Sequence, residues 1–522
     1  MSINSLESST PSENNKRIAK NAGMLYIRML LTMAVTLYTS RIVLNVLGVE
    51  DYGIYNVVGG FVTMFGFLNS SMASATQRFF SFEIGKRDFP QLARVFSMSV
   101  NIHFIIAVII FVLAETVGLW FVDTQLTIPA KRMGAAQWVY QFSIFTFLVG
   151  VVSVPYNAAI IAHERMGVCA WVSIIEVSLK LLMVFMLIWF GFDKLKLYAV
   201  LMFMVALIIR FIYGIYCSRN FPESRFRWFW DQALFKLLLS YAGWNLWGQT
   251  SSVLKGQGVN ILLNIFFGPA VNAARGIAYQ VQGAVNLFVS NFQMAMNPQI
   301  IKSFAIDDMK YMHQLIFQGA KYSFFLIFTL SLPIILETEI LLKFWLKIVP
   351  EYTRVFTQLA IINILIESLS GSLVAAAQAS GKIKLYQGVV GGLYLFILPI
   401  SYLFLKLGFL PQVTLWISIA MSVIITLVRL IILRRLVQVS IKYFLVKVVL
   451  KTFIVSISAL ILPLVIHLII EESLYRLILV VFTAMISTVY ATYLLGLNKN
   501  EKLYFLQSII KIRNRMLSKV RK

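Results

Sequence analysis

Lys255 falls near the middle of a mostly apolar stretch, 238–266. That is about ten residues, or about 15 Å of helix, from either end. A lysine this deep cannot reach water by extending its side chain, and facing lipid would cost at least about 2.5–3.5 kcal/mol. Two chemistries are open to it: an ammonium lining a wet cavity, or half of a pair with a carboxylate such as Glu367. Gln249 and Asn260, with Asn245, Ser252 and Asn264, share a broad helical face with it. The next stretch carries Arg275, Tyr279, Gln282, Asn286, Ser290, Gln293 and Asn297 in steps of three and four, which keeps them on one face. Asn56, Gly60, Thr63, Phe67, Ser70, Ser74 and Gln77 repeat that pattern, and Asn21, Arg28, Thr32, Thr36 and Thr39 give a weaker version. One or two amides serve ordinary helix–helix contact. Four striped stretches predict a polar cavity instead. Its binding candidates are Lys255, Arg28, Arg78, Arg275, Gln249, Asn260, Gln282, Asn286, Gln293 and Asn56.

Other charges are placed by depth. Arg28, Arg78, Arg210 and Arg429 lie within about two turns of one end of their stretches, near enough to snorkel. Arg41 and Arg275 lie near the opposite ends, where interface anchoring is the competing role. Glu367 and Glu115 are candidate sites for a coupling proton or cation, and Glu176 is a third. Glu176 stands four residues before Lys180, a spacing that favours a self-neutralising structural pair. Basic residues outnumber acidic ones within the stretches by thirteen to four, which favours an anionic ligand. The four histidines and two cysteines show no metal-ligand spacing. Lys255–Gly256–Gln257–Gly258 lacks nucleotide-loop spacing and reads as a loosened helix. No cofactor or metal is expected.

The elements holding these residues follow from composition. Of 522 residues, 59% are hydrophobic and 13% charged, and the mean hydropathy is +0.81. That excludes a soluble core, a disordered chain and a disulfide scaffold. An all-α polytopic membrane protein of about fourteen spanning helices is expected. The spans are 22–47, 54–80, 95–120, 133–157, 171–191, 195–217, 238–266, 274–299, 317–337, 355–378, 386–406, 411–433, 451–470 and 475–495. The first is too long to be a signal peptide, and Arg28 and Arg41 interrupt it. With the N-terminus inside, the inner segments hold 27 Lys and Arg and the outer ones 6. Both termini are therefore expected in the cytoplasm. The net charge of +24, which alone would suggest nucleic acid, then marks the cytoplasmic face.

Asn21–Ala22–Gly23 and Leu44–Gly48 recur about 220 residues later as Tyr241–Ala242–Gly243 and Leu263–Gly268. An even number of spans separates the copies, so they run in the same direction. The expected organisation is a disordered cytoplasmic head (1–17), an N-lobe (18–237) and a C-lobe (238–434) of six helices each. Spans thirteen and fourteen (435–496) and a basic cytoplasmic tail (497–522) complete it.

The run from Arg41 through Leu44–Asn45–Val46–Leu47–Gly48 to Asp51–Tyr52–Gly53–Ile54–Tyr55 resembles the polysaccharide-biosynthesis exporters. These are the O-antigen and capsule flippases of the multidrug/oligosaccharidyl-lipid/polysaccharide superfamily. Gly268–Pro269–Ala270 and Asn297–Pro298 look like the second lobe of the same family. The resemblance implies a V-shaped bundle opening alternately to each side, in the bacterial inner membrane, without enzymatic activity. It implies transport of an undecaprenyl-pyrophosphate-linked oligosaccharide from the inner to the outer leaflet, with Arg28, Arg78 and Lys255 on a cationic cavity. Spans thirteen and fourteen would hold the lipid tail, and polysaccharide polymerases and sugar transferases would be partners. Two alternatives remain open: a multidrug or metabolite antiporter, which would want acidic cavity residues, and a polysaccharide polymerase, ligase or acyltransferase. His103, beside Ser99 and Asn101, is the one histidine placed to serve the latter.

Overall fold

The structure, a computed structural model, describes residues 11–63, 66–125, 129–346, 349–499 and 501–503, with some side chains of the first two helices and a few elsewhere outside that description. The described residues are helical and form no strand. In order they make α1 (Pro11–Thr63), α2 (Gly66–Lys86), α3 (Phe89–Leu113), α4 (Leu119–Gln125), α5 (Met133–Ala162) and α6 (Met166–Trp189). Then come α7 (Lys194–Asn220), α8 (Gln232–Phe267), α9 (Pro269–Ala305), α10 (Met309–Leu336), α11 (Thr338–Trp345) and α12 (Thr353–Ser368). The last among the described residues are α13 (Gly371–Ala379), α14 (Ile383–Lys406), α15 (Val413–Val437), α16 (Ile441–Phe444), α17 (Leu450–Ile469) and α18 (Leu474–Ala491).

Ten helical stretches among the described residues are long and apolar enough to cross a membrane. They coincide with spans three to six and nine to fourteen expected from the sequence. The other four expected spans lie in α1, α2, α8 and α9, the helices that carry the polar stripes and are less apolar for that reason. The first span ends where expected: at Gly48 (φ 79°, ψ 170°) the backbone leaves the helix, so α1 is two helices meeting there, the second running to Thr63 and leaving the rest of span two to α2. Glycine adopts this backbone without a Cβ clash. Gly268, its partner in the repeat, ends α8 with φ +78°. The two matched glycines thus share a left-handed φ.

The chain divides into two compact units. The first comprises Met1–Leu254, Ser290–Leu315 and Val374–Leu395. Its core gathers Val43, Val58, Val139, Tyr140, Val184 and Leu187 from α1, α5 and α6. Asp88 caps α3 by accepting the Gln91 N–H, and Asp193 caps α7 by accepting those of Leu195 and Lys196. In the wider π-type turn at Ala114–Gly118 the Ala114 carbonyl accepts the Leu119 N–H and also the Tyr140 hydroxyl, the latter at 2.6 Å. Gly85 lets α2 meet the end of α9 backbone to backbone: a Cβ there would lie 2.9 Å from Lys302 Cα and 2.7 Å from Ala305 Cβ. Gly85→Leu should therefore force the helices apart and cost at least about 1–3 kcal/mol, read as a lowered unfolding temperature in detergent.

The second unit comprises Lys255–Val289, Ile316–Leu373 and Phe396–Lys522. Val285, Phe325, Ile327, Ile361 and Val455 form its core, and Ala459 and Ala484 let α17 and α18 pack closely. Outward faces such as Phe453, Ile457 and Ile461 stay exposed, as lipid contact requires.

Candidate functional site

The expected site residues divide between the units. In the second, Lys255 Nζ on α8 lies 3.8 Å from Glu367 Oε1 on α12. The same carboxylate oxygen accepts from Asn363 Nδ2 at 3.2 Å, and Ser422 Oγ of α15 donates to Asn363 Oδ1 at 2.8 Å. Three polar side chains from three helices thus meet around one carboxylate. Of the two roles open to Lys255, the structure places it in the pair with Glu367. The pair is looser than a direct hydrogen bond, and its side chains keep 18% and 30% of their exposure.

Arg275 of α9 is buried, donates to the Asn260 side chain and stacks on the Tyr279 ring at 4.3 Å. Asn260 also donates to Gln257 at 3.2 Å. Arg275 is tied to its neighbours rather than extended as an interface anchor. Gln282 is half-buried and Asn286 exposed on the same helix.

In the first unit, Arg28 Nη2 donates to Asn291 Oδ1 of α9 at 3.3 Å. Gln293 is half-buried and Gln249 exposed. Arg78 departs from its expected place on a cavity wall. It is 7% exposed and gives Nε and Nη2 to the carbonyls of Gln378 and Ala379 at 3.1 Å each, at the end of α13. The rings of Phe79 and Phe82 flank it at 4.6 Å. A guanidinium on the last carbonyls of a helix C-terminus satisfies both charge and hydrogen bonds. Arg78 fastens α2 to α13. The side chains of Asn56 and Arg41 lie outside the described residues.

Among the coupling candidates, Glu367 belongs to the Lys255 cluster. Glu115 accepts from Gln141 at 3.1 Å in the first unit. Glu176 meets Lys180 at 2.6 Å, the structural pair that their spacing favours. His103 is fully buried, its Nδ1 2.7 Å from the Ser99 carbonyl of its own helix, which leaves it no access to a substrate.

One cluster has no counterpart among the sequence expectations. Glu164, between α5 and α6, has a fully buried carboxylate that meets Lys302 of α9 at 2.6 Å and Arg17 of α1 at 2.6 Å. Gln299 donates to it at 2.6 Å, and Asn21 donates to its backbone carbonyl. Glu164 holds a left-handed φ of 59°, unusual for glutamate and sustained by those contacts. In sequence it is one acid in a short polar link, and its partners lie up to 147 positions away. A second cluster joins Arg132 to both Asp51 and Asp193. The links that meet at Arg132 are those the charge count puts outside. The segments that meet at Glu164 are those it puts inside.

A helical bundle of this order, with polar stripes on four of its helices, defines a multi-pass membrane protein of transporter fold. Solved structures share that fold. An outward-facing multidrug resistance MATE family transporter of the MOP superfamily aligns with TM-score 0.71 at 12% identity, over 82% of this chain and 96% of its own. The MATE transporter ClbM in complex with Rb+ aligns with 0.66 at 14%, over 84% and 97%. A MOP superfamily transporter from Pyrococcus furiosus, described as having a binding pocket of reverse polarity, aligns with 0.66 at 12%, over 82% and 96%. No curated protein sequence matches the chain. Residues 18–304 match the family model described as polysaccharide biosynthesis protein, more than half the chain, and the protein belongs to that family.

Proposed function

We propose that the protein is a flippase that carries an undecaprenyl-pyrophosphate-linked oligosaccharide, an O-antigen, capsule or exopolysaccharide repeat unit, across the inner membrane by alternating access. The reading rests above all on Lys255, an ammonium midway along a polar-striped helix of a transporter fold, in a family of polysaccharide biosynthesis. Its loose contact with Glu367 leaves it able to bind the pyrophosphate as the head group leaves water. Arg275 and the amides at 260, 282 and 286 would line the head-group path with it, while the polyprenyl tail stays in lipid. Protein motion rather than bond making is the work such a site does, so we assign no enzymatic activity.

Both termini lie in the cytoplasm under this proposal, and the N-lobe and C-lobe rock about the site. The Glu164 cluster then sits at the cytoplasmic end, joining α1 and α5 to α9, and opening to the cytoplasm means separating it. Sugar transferases that make the cargo and polymerases that consume it are the partners implied.

Deleting the gene should remove surface polysaccharide and leave lipid-linked repeat units on the cytoplasmic leaflet, read by glycan staining and lipid extraction. Normal surface glycan in the deletion strain contradicts the proposal. A multidrug antiporter is the second reading, favoured by the MATE-like fold. It predicts drug hypersensitivity with intact glycan in the same strain.

A further inference from the structure

The first unit contains a pocket of about 510 Å³ between α5, α7 and the segment after α7. It is separate from the polar stripes, and two arginines line it. Arg210 rises from within the apolar span of α7, its guanidinium 3.8 Å from the centre of the Tyr156 ring. A Cβ on Gly214 would come 2.8 Å from Arg210 Nη1, so the glycine makes room for that guanidinium. Among the described residues no carboxylate pairs with Arg210. The nearest acid in sequence, Glu223, is taken by His163 at 2.8 Å. At the mouth, Arg225 reaches back to donate Nε to the Ser218 carbonyl at 3.2 Å, and Ser224 completes the polar lining.

The surroundings of the mouth are apolar. Phe211 is 65% exposed on α7, Ile215 follows one turn on, and Phe226 is exposed beside Arg225. Trp228 (82% exposed) and Trp230 come next. Exposed tryptophans beside a basic residue at the end of a span mark the membrane–water interface. A guanidinium within a span without a protein counter-ion is costly, and an anion at this depth would relieve it.

We propose that this pocket binds the headgroup of an anionic phospholipid. The phosphate would sit between Arg210 and Arg225, with the acyl chains along Phe211 and Ile215. Headgroup recognition by a basic pocket between helices needs these parts: fixed guanidinium groups, room for a phosphate and an apolar wall open to lipid. On the topology proposed above, the pocket faces the cytoplasmic leaflet. Recognition of the headgroup itself requires only the leaflet interface.

The test uses the full chain purified in mild detergent and mixed with equal amounts of phosphatidylglycerol and phosphatidylcholine, with bound lipid counted by native mass spectrometry. Phosphatidylglycerol should be retained over phosphatidylcholine by about tenfold or more, as charge-assisted hydrogen bonds to two guanidiniums imply. R210Q/R225Q should bring the two lipids to parity. R225Q alone, on an exposed side chain that the fold does not need, should lose part of the preference. Equal retention by the native protein, or an unchanged preference in the double variant, overturns the proposal. So does inorganic phosphate that strips the lipid as well as added phosphatidylglycerol does, since the site would then take free phosphate. K255A should retain phosphatidylglycerol as the native protein does, so the outcome is independent of the transport reading.

Discussion

Lys255→Ala should abolish export of surface polysaccharide at normal protein level in the membrane, and Lys255→Arg should keep part of it. Alanine removes the cation and leaves Glu367 with Asn363 and Ser422, hydrogen-bonded but without its ammonium. Arginine restores the charge in a different shape, so partial activity follows. The pairing with Glu367 makes a sharper version available. If Lys255 serves only to neutralise that carboxylate, Lys255→Ala combined with Glu367→Gln removes both charges together and should restore function. If the ammonium binds the cargo anion, the double variant stays inactive. Inactivity is the expected result, measured by complementation of the deletion strain.

Glu164→Ala should give the largest loss of stability of any single substitution in the links between helices. It leaves Lys302 and Arg17 around a site built for a carboxylate. Removing one member of a buried ion cluster typically costs about 3–5 kcal/mol, because the remaining charge stays uncompensated. Glu164→Gln keeps an acceptor and should lose less. Glu164→Gly relieves the left-handed backbone but discards the carboxylate, so it should resemble alanine. Acid should have the same effect as removal. Burial raises the Glu164 carboxyl, but the charges of Lys302 and Arg17, with hydrogen bonds from Lys302 and Gln299, outweigh it and hold the group below its ordinary value of 4.5. A carboxylate depressed in the folded state stabilises above its unfolded pKa, and that stability disappears as pH falls through the folded value. Unfolding temperature in detergent should therefore hold near neutrality and fall below about pH 4.5. In Glu164→Gln that part of the acid response should be absent.

The membrane spans were legible because a run of twenty apolar residues, repeated many times over, finds enough apolar surroundings only in lipid. Gly48 was legible as the end of the first span, with a second helix expected beyond it, and the backbone leaves the helix there. The striped faces were legible from helical spacing. What they touch was not. Arg78 and Arg28 read alike, as basic residues two turns from a span end, yet one fastens carbonyls of α13 and the other meets an amide of α9. Pairings between residues 263 to 301 positions apart are set by how the helices pack, and no local pattern encodes them. Lys255 and Glu367 were the exception, because depth made each costly alone and so named the other as a partner. Glu164 was missed for the opposite reason: a charged residue in a link between spans needs no partner until packing buries it.

Transport itself can be watched without a cell. The purified protein reconstituted in liposomes with a fluorescent undecaprenyl-pyrophosphate oligosaccharide can be probed with an impermeant glycosidase that trims only outward-facing head groups. Lipid initially protected inside should become accessible with the native protein and stay protected with Lys255→Ala. Protection that persists with correctly folded native protein, or access that is equal in the two, contradicts a flippase built around Lys255.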